Sequence, residues 1–573
     1  MPLKHNQKIR HHIEPTRQAM QATAGARSNR WLDFTVWTVA LWTSFLNLLN
    51  FNDYPLFSAE VGLTLFGLGL LGGVLGAVQH IARPRLSFLF TALFLAIMVD
   101  LNASIDRTWF YAAWAGLAVI AFLAENALLK LTLAAFTSVL LFQIIGLTTG
   151  LGDVAKPDNE ARNLQVAGGV SSNRPAIVHL LLDSYLGLDG MALSPAYRDV
   201  RAEQVAFFTT QGFQLYPGAY SRHAMTMNSL PQIFTYGEVR PTFDSRSSEY
   251  TVPQALPYFA DLDRGGYRVS AALPNYFDLC VHQKMTECRN SQSSELTSML
   301  GTNLGVVDRA TVFGFTLLRL THMPSRVVSA IQLGVDQWFG TSERWSFNRG
   351  QVSHLTALRN LNRFTEDLAD LQPGEVRFAH ILLPHSPFGF NPDCSVKPEA
   401  EWRNEHGPAS VADREAAYID QVRCLQRALG RAFAALDQTP AGREAIVLLH
   451  GDHGSRVAPA LPYVGGIDLS DHELLMLHSA FFAIRVPGEA AGEVPGVFAL
   501  DELLADFRDR DFSAAPRPAA KPPRILIMGS NPALPGEPQP LPAFNPAVVL
   551  RPSAPSPQLS AAPDTTTTTP PAR

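Results

Sequence analysis

The stretch EAIVLLHGDHG, residues 444–454, joins an apolar run to an acid and an imidazole placed between glycines. Apolar residues on both faces of a short run favour a strand buried on both sides, as in a parallel sheet covered by helices. Asp452 and His453 would then follow the carboxyl end of that strand, where open α/β sheets gather their ligands. A carboxylate beside an imidazole suits a divalent cation there, and the alternative is a turn that carries an ordinary surface histidine.

Other runs along the chain have the same apolar character: AIVHLLLDSY (176–185), YRVSAAL (267–273) and VRFAHILLPH (376–385). Helical segments separate them, and in residues 417–437 apolar side chains recur at steps of three and four. Residues 498–512 are expected to form the last helix. The alternation predicts an α/β domain over residues 175–512, built on a mainly parallel, doubly wound sheet.

Two of these further strands also end in residues that can bind a metal or an anion. Asp183 follows IVHLLL and His385 follows HILLP, so both are expected at the same sheet edge as Asp452 and His453. Taken alone, Asp183 could cap the next helix and His385 could pack under a turn. Together these residues predict one shared metal site, and the mixture of imidazole and carboxylate favours zinc or manganese over calcium.

The apolar residues are concentrated near the N-terminus. The chain has 573 residues, 47% of them hydrophobic, and its net charge of −5 gives no reason to expect a nucleic-acid partner. Apolar runs near the roughly 17–25 residues that span a bilayer occupy residues 31–51, 56–78, 86–101, 109–124 and 131–147. We therefore predict a transmembrane domain of about five helices over residues 31–150. Four helices are the alternative, because the third and fourth runs are short.

Basic residues indicate the orientation in the membrane. Several precede the first run, and Arg83 and Arg85 lie in the second loop, whereas the first loop, FNDYP, has none; Arg107 is an exception. By the positive-inside rule, residues 1–30 form a cytoplasmic arm, and five spans place everything after residue 150 outside. Residues 151–174 are predicted to be a linker, and the Pro-rich residues 513–573 a disordered tail.

The four cysteines agree with an outside location. Cys280 and Cys288 are eight residues apart, and the other two are Cys394 and Cys424. No two have CxxC spacing, so a zinc site made of thiolates is not expected. Two disulfides in an oxidising compartment are the prediction, with free structural thiols as the alternative.

A hydroxyl group suited to nucleophilic catalysis lies in SRHAMTMNSLPQIF, residues 221–234. Thr226 and Ser229 precede Pro231, and either hydroxyl could simply cap a helix that begins near Leu230. A hydroxyl at a helix N-terminus is also close to the positive end of the helix dipole, which lowers its pKa and favours an anion. A bound cation would lower that pKa further.

The order of LLLDSY, HAMTMNSLP, LLPHSP, GDHG and MLHSAFF resembles the sulfatase-like branch of the alkaline phosphatase superfamily. With several spans before an outside catalytic domain, the chain is most similar to lipoteichoic acid synthases and lipid A phosphoethanolamine transferases. The motifs cover residues 175–512, and the spans match by architecture only. Two features depart from the family. Formylglycine chemistry needs C/S-x-P-x-R, and residues 229–233, SLPQI, lack the arginine; GDHGS also lacks the acidic residue that often follows DHG.

The resemblance implies a role for each candidate residue. Asp183, Thr226, Asp452 and His453 would bind the metal, and Thr226 would also be the nucleophile. His385 and His478 would hold the substrate phosphate or a second metal. His472 competes with His478, which we prefer because the apolar stretch FFAIRVPG follows it. Arg222 and Arg456 could help to hold an anion or could be solvated surface charges.

The function implied is that of a metal-dependent transferase in the inner membrane of a bacterium, with its catalytic domain on the periplasmic or extracellular side. It would transfer phosphoethanolamine or phosphoglycerol from a membrane phospholipid to an envelope glycan or glycolipid through a phospho-threonine. The alternative is a membrane-bound phosphodiesterase or sulfuric ester hydrolase that uses water as acceptor. A non-enzymatic membrane scaffold is a third hypothesis.

Overall fold

An apolar helical region precedes an α/β domain, as the sequence predicts. The computed structural model describes residues 31–82, 86–103, 107–149, 162–163, 173–237, 250–251, 256–274, 277–280, 285–291, 295–320, 352–405, 409–457, 469–528 and 535–543. The predicted cytoplasmic arm, residues 1–30, and most of the predicted linker lie outside these residues.

The N-terminal region consists of apolar helices: α1 Trp31–Phe51, α2 Ala59–Ala82, α3 Ser87–Ala103 and α4 Arg107–Thr149. Three stretches, α1, α2 and Trp109–Gln143 within α4, are long and apolar enough to cross a membrane by length and composition, and Ser87–Val99 is a shorter apolar helix. The fourth and fifth predicted runs are joined in α4, where Ala124 has non-helical dihedral angles, φ −149° and ψ 42°.

At this kink α4 turns back on itself. The rings of Phe122 and Phe88 are 5.3 Å apart, so the first half of α4 ends beside the start of α3. The second half begins there as well, because the hydroxyl of Ser87 donates a 2.8 Å hydrogen bond to the Glu125 carboxylate. The second half then reaches the far end of α3. There the hydroxyl of Thr43 in α1 donates to the carbonyl of Phe136 at 3.2 Å, and the hydroxyl of the adjacent Ser44 contacts Met98 of α3. The two halves are therefore two antiparallel helical segments joined without the loop that the sequence pattern suggested.

The α/β domain contains the strands β1 Arg162–Asn163, β2 Ile177–Leu182, β3 Gln214–Leu215, β4 Gly218–Tyr220, β5 Tyr250–Thr251, β6 Arg268–Pro274, β7 Phe277–Asp278, β8 Glu287–Ser291, β9 Glu375–Ile381, β10 Ile446–Gly451, β11 Phe482–Arg485, β12 Gly492–Glu493, β13 Val497–Ala499, β14 Arg524–Met528 and β15 Pro535–Pro540. Within the described residues, the main sheet has the order β1-β8-β6-β9-β2-β10-β11-β3-β12. Its central strands β8, β6, β9, β2 and β10 are parallel. The antiparallel pairs β1–β8, β10–β11 and β11–β3 lie towards its edges.

The helices of the domain are α5 Leu188–Ala192, α6 Arg198–Thr210, α7 Thr226–Phe234, α8 Pro257–Arg264, α9 Val306–Leu320, α10 Ser353–Asp367, α11 Val411–Leu436, α12 Pro440–Arg443, α13 Asp471–His478 and α14 Leu500–Asp509. Alternate residues of β2 enter two different cores: Val178 and Leu180 pack in one, and Ile177 and Leu181 in the other. The sheet is therefore covered on both faces, which confirms the predicted mainly parallel, doubly wound fold class.

The domain continues beyond residue 512, where the sequence pattern placed its end. Ala515 and Ile525 are fully buried, and the hydroxyl of Tyr216 donates to the carbonyl of Pro516 at 2.6 Å. The strand β14 contains the apolar sequence RILIM and pairs with β15. The Pro-rich composition around this strand had suggested disorder. The described part of the predicted tail, residues 513–528 and 535–543, is instead folded.

All four cysteines form disulfides, Cys280–Cys288 and Cys394–Cys424. The first bond joins Cys280, which follows β7, to Cys288 in β8. The second joins the loop that follows β9 to α11. The prediction of two disulfides is confirmed, and the alternative of free thiols is wrong.

Candidate metal centre

Neighbouring strands of the sheet position the acidic residues. Leu182 of β2 is paired with Gly451 of β10, so the residues that come next, Asp183 and Asp452, emerge side by side. Between them Ser184 has a positive φ of 60°. In this conformation its backbone N–H donates a 2.9 Å hydrogen bond to Oδ1 of Asp452, which links the two strand ends.

The glycines of GDHG allow other backbone to approach the turn. A Cβ on Gly454 would lie 2.0 Å from the carbonyl oxygen of Met476 and 2.6 Å from that of Ser479. A Cβ on Gly451 would lie 2.7 Å from the carbonyl oxygen of Tyr185. The motif therefore places Asp452 and His453 in a turn that packs directly on the last turn of α13 and on the end of β2.

Four predicted residues meet at this sheet edge, and we call Asp183, Thr226, Asp452 and His453 the ligand cluster. The metal-binding atoms of Asp183, Asp452 and His453 all lie within 4.8 Å of one another. Thr226, the first residue of α7, places its Oγ1 3.3 Å from Oδ2 of Asp183 and 3.3 Å from Nε2 of His453. All four side chains are buried.

The ligand cluster fits a divalent cation. Nδ1 of His453 lies 2.8 Å from the carbonyl oxygen of Gly454. Because a carbonyl only accepts, Nδ1 carries the proton and Nε2 presents its lone pair to the cluster. Oδ2 of Asp452 accepts no hydrogen bond from the described residues. Two buried carboxylates, an imidazole and a hydroxyl form a donor set that suits a divalent cation.

His380 belongs to the same site but was not among the predicted residues. It lies near the end of β9, is 1% exposed, and its Nε2 is 3.2 Å from Oδ2 of Asp183. Burial of Asp183 opposes its ionisation, but when the imidazoles of His385, His380 and His453 are protonated they outweigh burial and hold the pKa of Asp183 well below its usual range. The signal in the sequence was a histidine inside the same apolar run that ends at His385, HILLPH.

Three further histidines interact electrostatically with the ligand cluster or with one another: His385 with Asp183, His478 with His453, and His223 with His478. We call His223, His385 and His478 the outer histidines. Nδ1 of His478 donates to the carbonyl of Ser221 at 2.9 Å, which leaves Nε2 as an acceptor. Burial lowers the pKa of His478 to about 4 and that of His223 to about 3. Both imidazoles are therefore neutral near pH 7. His472, the competitor of His478, is exposed on α13.

Arg456 fixes the third outer histidine. Its Nη2 donates to Nε2 of His385 at 2.8 Å, while Nδ1 of His385 lies 2.6 Å from the carbonyl oxygen of Ser386. Nε of Arg456 donates to the Glu405 carboxylate at 3.1 Å. From the other side, the Gln421 amide of α11 donates to the carbonyl of His385 at 2.8 Å.

Two other polar residues near the predicted nucleophile point away from the cluster. Arg222 forms ion pairs with Asp501 at 2.9 Å and with Glu502 at 2.7 Å. The hydroxyl of Ser229 donates to the carbonyl of Thr226, one turn earlier in α7. Of the two arginines considered as anion ligands, only Arg456 therefore contacts a predicted site residue.

Comparison with known proteins gave matches among solved structures alone: no family model and no curated protein matches the chain. The C-terminal periplasmic domain of EcEptC from Escherichia coli is 13% identical, with 64% of this chain and 93% of that chain covered, at a TM-score of 0.36. The phosphonate monoester hydrolase of Agrobacterium radiobacter is 12% identical, with coverage of 60% and 74%, at 0.35. A 2-O GAG sulfatase is 13% identical, with coverage of 60% and 72%, at 0.36. Because these TM-scores are below 0.5, the assignment of a function depends on the geometry of the metal centre itself.

Proposed function

We propose that the protein is a membrane-anchored, metal-dependent transferase of the sulfatase-like type. It moves a phospho-head group, phosphoethanolamine or phosphoglycerol, from a membrane phospholipid to an envelope glycan or glycolipid. The observation that carries this proposal is the position of Thr226, whose Oγ1 is 3.3 Å from both Asp183 and His453 at the N-terminus of α7. Asp183, Thr226, Asp452 and His453 hold the cation, for which zinc or manganese is our choice.

In the first half-reaction Thr226 is the nucleophile. Its Oγ1 attacks the phosphorus of the donor phosphodiester, so the Oγ1–P bond forms and the bond from phosphorus to the diacylglycerol oxygen breaks. The threonine proton passes to solvent, and the departing diacylglycerol oxygen takes one from solvent. The cation, when bound, lowers the pKa of the hydroxyl and offsets charge on the phosphoryl oxygens. The α7 dipole acts in the same direction.

In the second half-reaction a hydroxyl of the glycan acceptor attacks the same phosphorus and the Oγ1–P bond breaks. We assign His478 as the general base. Its Nδ1–H is held by Ser221, so Nε2 has a lone pair for the acceptor proton, and its lowered pKa keeps it unprotonated near pH 7. That proton then moves to Oγ1 and restores the Thr226 hydroxyl.

His385 is assigned to the substrate phosphate together with Arg456. The guanidinium of Arg456 is already anchored by Glu405, and it keeps Nε2 of His385 in a fixed place. A planar guanidinium is well suited to phosphoryl oxygens, because it offers several N–H donors in one plane.

The apolar helices and the disulfides support a location in the bacterial inner membrane with the catalytic domain on the periplasmic side. Three stretches can cross a membrane by length and composition. The two disulfides need an oxidising compartment. A catalytic domain held against the bilayer would have its lipid donor nearby.

Mass spectrometry of the trapped enzyme tests the proposal. The full-length protein is incubated with labelled phospholipid, quenched, and digested. We expect the mass of the head group on the peptide that contains Thr226. We expect no adduct in Thr226→Ala, whose turnover falls by roughly 10³-fold or more. Ser229→Ala is the matched control, since its hydroxyl lies one turn away and bonds to backbone.

Other outcomes assign other reactions. Normal turnover by Thr226→Ala, or an adduct on a different residue, would contradict the nucleophile. Release of the free phospho-head group in the presence of a glycan acceptor would indicate a phosphodiesterase that uses water. Turnover of an aryl sulfate without any turnover of phospholipid would indicate a sulfuric ester hydrolase.

A further inference from the structure

The helix α9 belongs to the α/β domain by sequence but packs on the membrane helices. Arg309 of α9 forms a 3.2 Å ion pair with Glu60, in the first turn of α2. The ring of Phe313 packs edge-on against Phe45 of α1 and Tyr54 of the following loop, at 5.4 and 5.0 Å. α9 therefore lies at the end of the helical bundle where the α/β domain sits, which we call the domain-side end.

The side of α9 that faces away from the protein lacks charge after the first turn, which carries Asp308. Residues 310–318, ATVFGFTLL, contain no charged residue. Phe313 is fully buried against the bundle, whereas Val307 is 67% exposed and Gly314, two turns further along, is also exposed. A helix that faces water normally carries polar and charged residues on its outer side. Here the charge of Arg309 is instead turned inward to Glu60.

The helix α9 packs beside a helix whose outer surface is apolar. The neighbouring helix α2, a candidate membrane span, exposes Leu63, Phe66 and Leu70, with Phe66 66% exposed. Exposed aromatic residues also mark the domain-side end, namely Phe57 just before α2 and Trp109 at the start of α4. Aromatic side chains are enriched at the boundary between membrane and water.

We propose that α9 lies in the bilayer interface at the domain-side end, with the face that carries Val307 and Gly314 in contact with lipid. The partner is the lipid surface, because α9 packs on α2, which exposes apolar residues, and residues 310–318 offer no charge to a polar partner. The α/β domain is then attached to the membrane by α9 as well as by the chain that follows α4. This proposal does not depend on the chemistry assigned to Thr226.

Site-directed spin labelling tests the lipid contact. All four native cysteines are in disulfides, so an introduced cysteine is the one free thiol in the protein. Val307→Cys and Gly314→Cys are labelled with a nitroxide in the full-length protein, in nanodiscs of phosphatidylethanolamine and phosphatidylglycerol. A Cβ at Gly314 meets no heavy atom within 4 Å, so this site accepts a side chain. Relaxation by oxygen reports lipid contact, and relaxation by a water-soluble nickel chelate reports contact with water.

Two matched variants calibrate the measurement. Phe66→Cys samples the apolar surface of α2, and Ala202→Cys samples an exposed position on α6. We expect both α9 labels to show high oxygen and low nickel accessibility, as at residue 66. High nickel accessibility, as at residue 202, would overturn the proposal. So would labels shielded from both reagents, since another segment or a second copy would then cover α9.

Discussion

The ligand cluster and the outer histidines are both buried and both rich in imidazole, but their polar atoms are arranged differently. In the cluster, the metal-binding atoms of Asp183, Asp452 and His453 all lie within 4.8 Å of one another. Among the outer histidines, the rings of His478 and His385 each have their own partner, the Ser221 carbonyl and the Arg456 guanidinium respectively. Donor atoms this close together suit a cation, whereas separately held rings are suited to act on a substrate. Metal content and catalysis should therefore separate between the two groups.

The strongest test of this difference is Asp452→Asn. The change removes one of two converging carboxylate charges, so we expect loss of the bound metal and a fall in turnover of roughly 10³-fold or more. Metal content is measured by inductively coupled plasma mass spectrometry on the full-length protein. His472→Asn, on exposed α13, should keep both metal and activity. Full metal content in Asp452→Asn would show that the cluster is not the cation site.

His478→Asn should have the opposite combination, with full metal content and a turnover lower by roughly 10²-fold, the usual range for loss of a general base. Because we place His478 in the second half-reaction, the modified Thr226 should also accumulate. Quantitative mass spectrometry of that peptide during turnover measures it. Loss of metal in this variant would remove the distinction between the two groups.

Arg456→Lys tests whether Arg456 helps to bind the substrate phosphate. Lysine keeps the charge but loses the planar donor set that reaches both His385 and Glu405, so we expect kcat/KM to fall by roughly 10-fold through a higher KM. Steady-state kinetics with labelled phospholipid measure the change. Arg222→Lys is the comparison, since Arg222 is paired with Asp501; its melting temperature should fall while KM stays the same. Equal effects on KM would contradict a substrate role for Arg456.

His354 is a buried histidine that belongs to neither group. Burial lowers its pKa to about 3, whereas the unfolded chain has a value near 6.5. Its neutral form therefore stabilises the fold above pH 6.5, and this contribution is lost as the pH falls towards 3. Between pH 7 and pH 5.5 the loss is about 1 kcal/mol. His354→Leu should show a smaller fall in melting temperature over that interval than the wild type. An equal or larger fall in the melting temperature of His354→Leu would contradict the lowered pKa of His354.

Sequence patterns predicted the parts of the site that depend on local rules. Runs apolar on both faces indicated buried parallel strands, and Asp183, Asp452 and His453 follow such strands directly. The position of Thr226 came from a resemblance, since a helix cap would have explained its hydroxyl equally well. The structure now places Thr226 against the same carboxylate and imidazole.

The features that were not predicted from the sequence depend mostly on contacts between residues far apart in the chain. His380 lies inside a strand, and only the sheet register brings it to Asp183. Arg222 and Arg456 looked alike because their partners, Asp501 and Glu405, are far away in the chain. The sequence beside Ala124 contains no glycine or proline, so it gave no signal for the turn in α4. The strand RILIM was hidden by the prolines around it.

The disulfide between Cys394 and Cys424 makes the structure around His385 depend on the redox state of the compartment in which the protein folds. It fastens the loop that follows β9 to α11, and the same helix supplies Gln421, which holds the backbone of His385. Maturation of the protein would therefore require the cell's thiol-oxidation machinery. A reducing agent in a purification buffer would act on a segment beside His385 and leave the strand ends that carry Asp183 and Asp452 untouched.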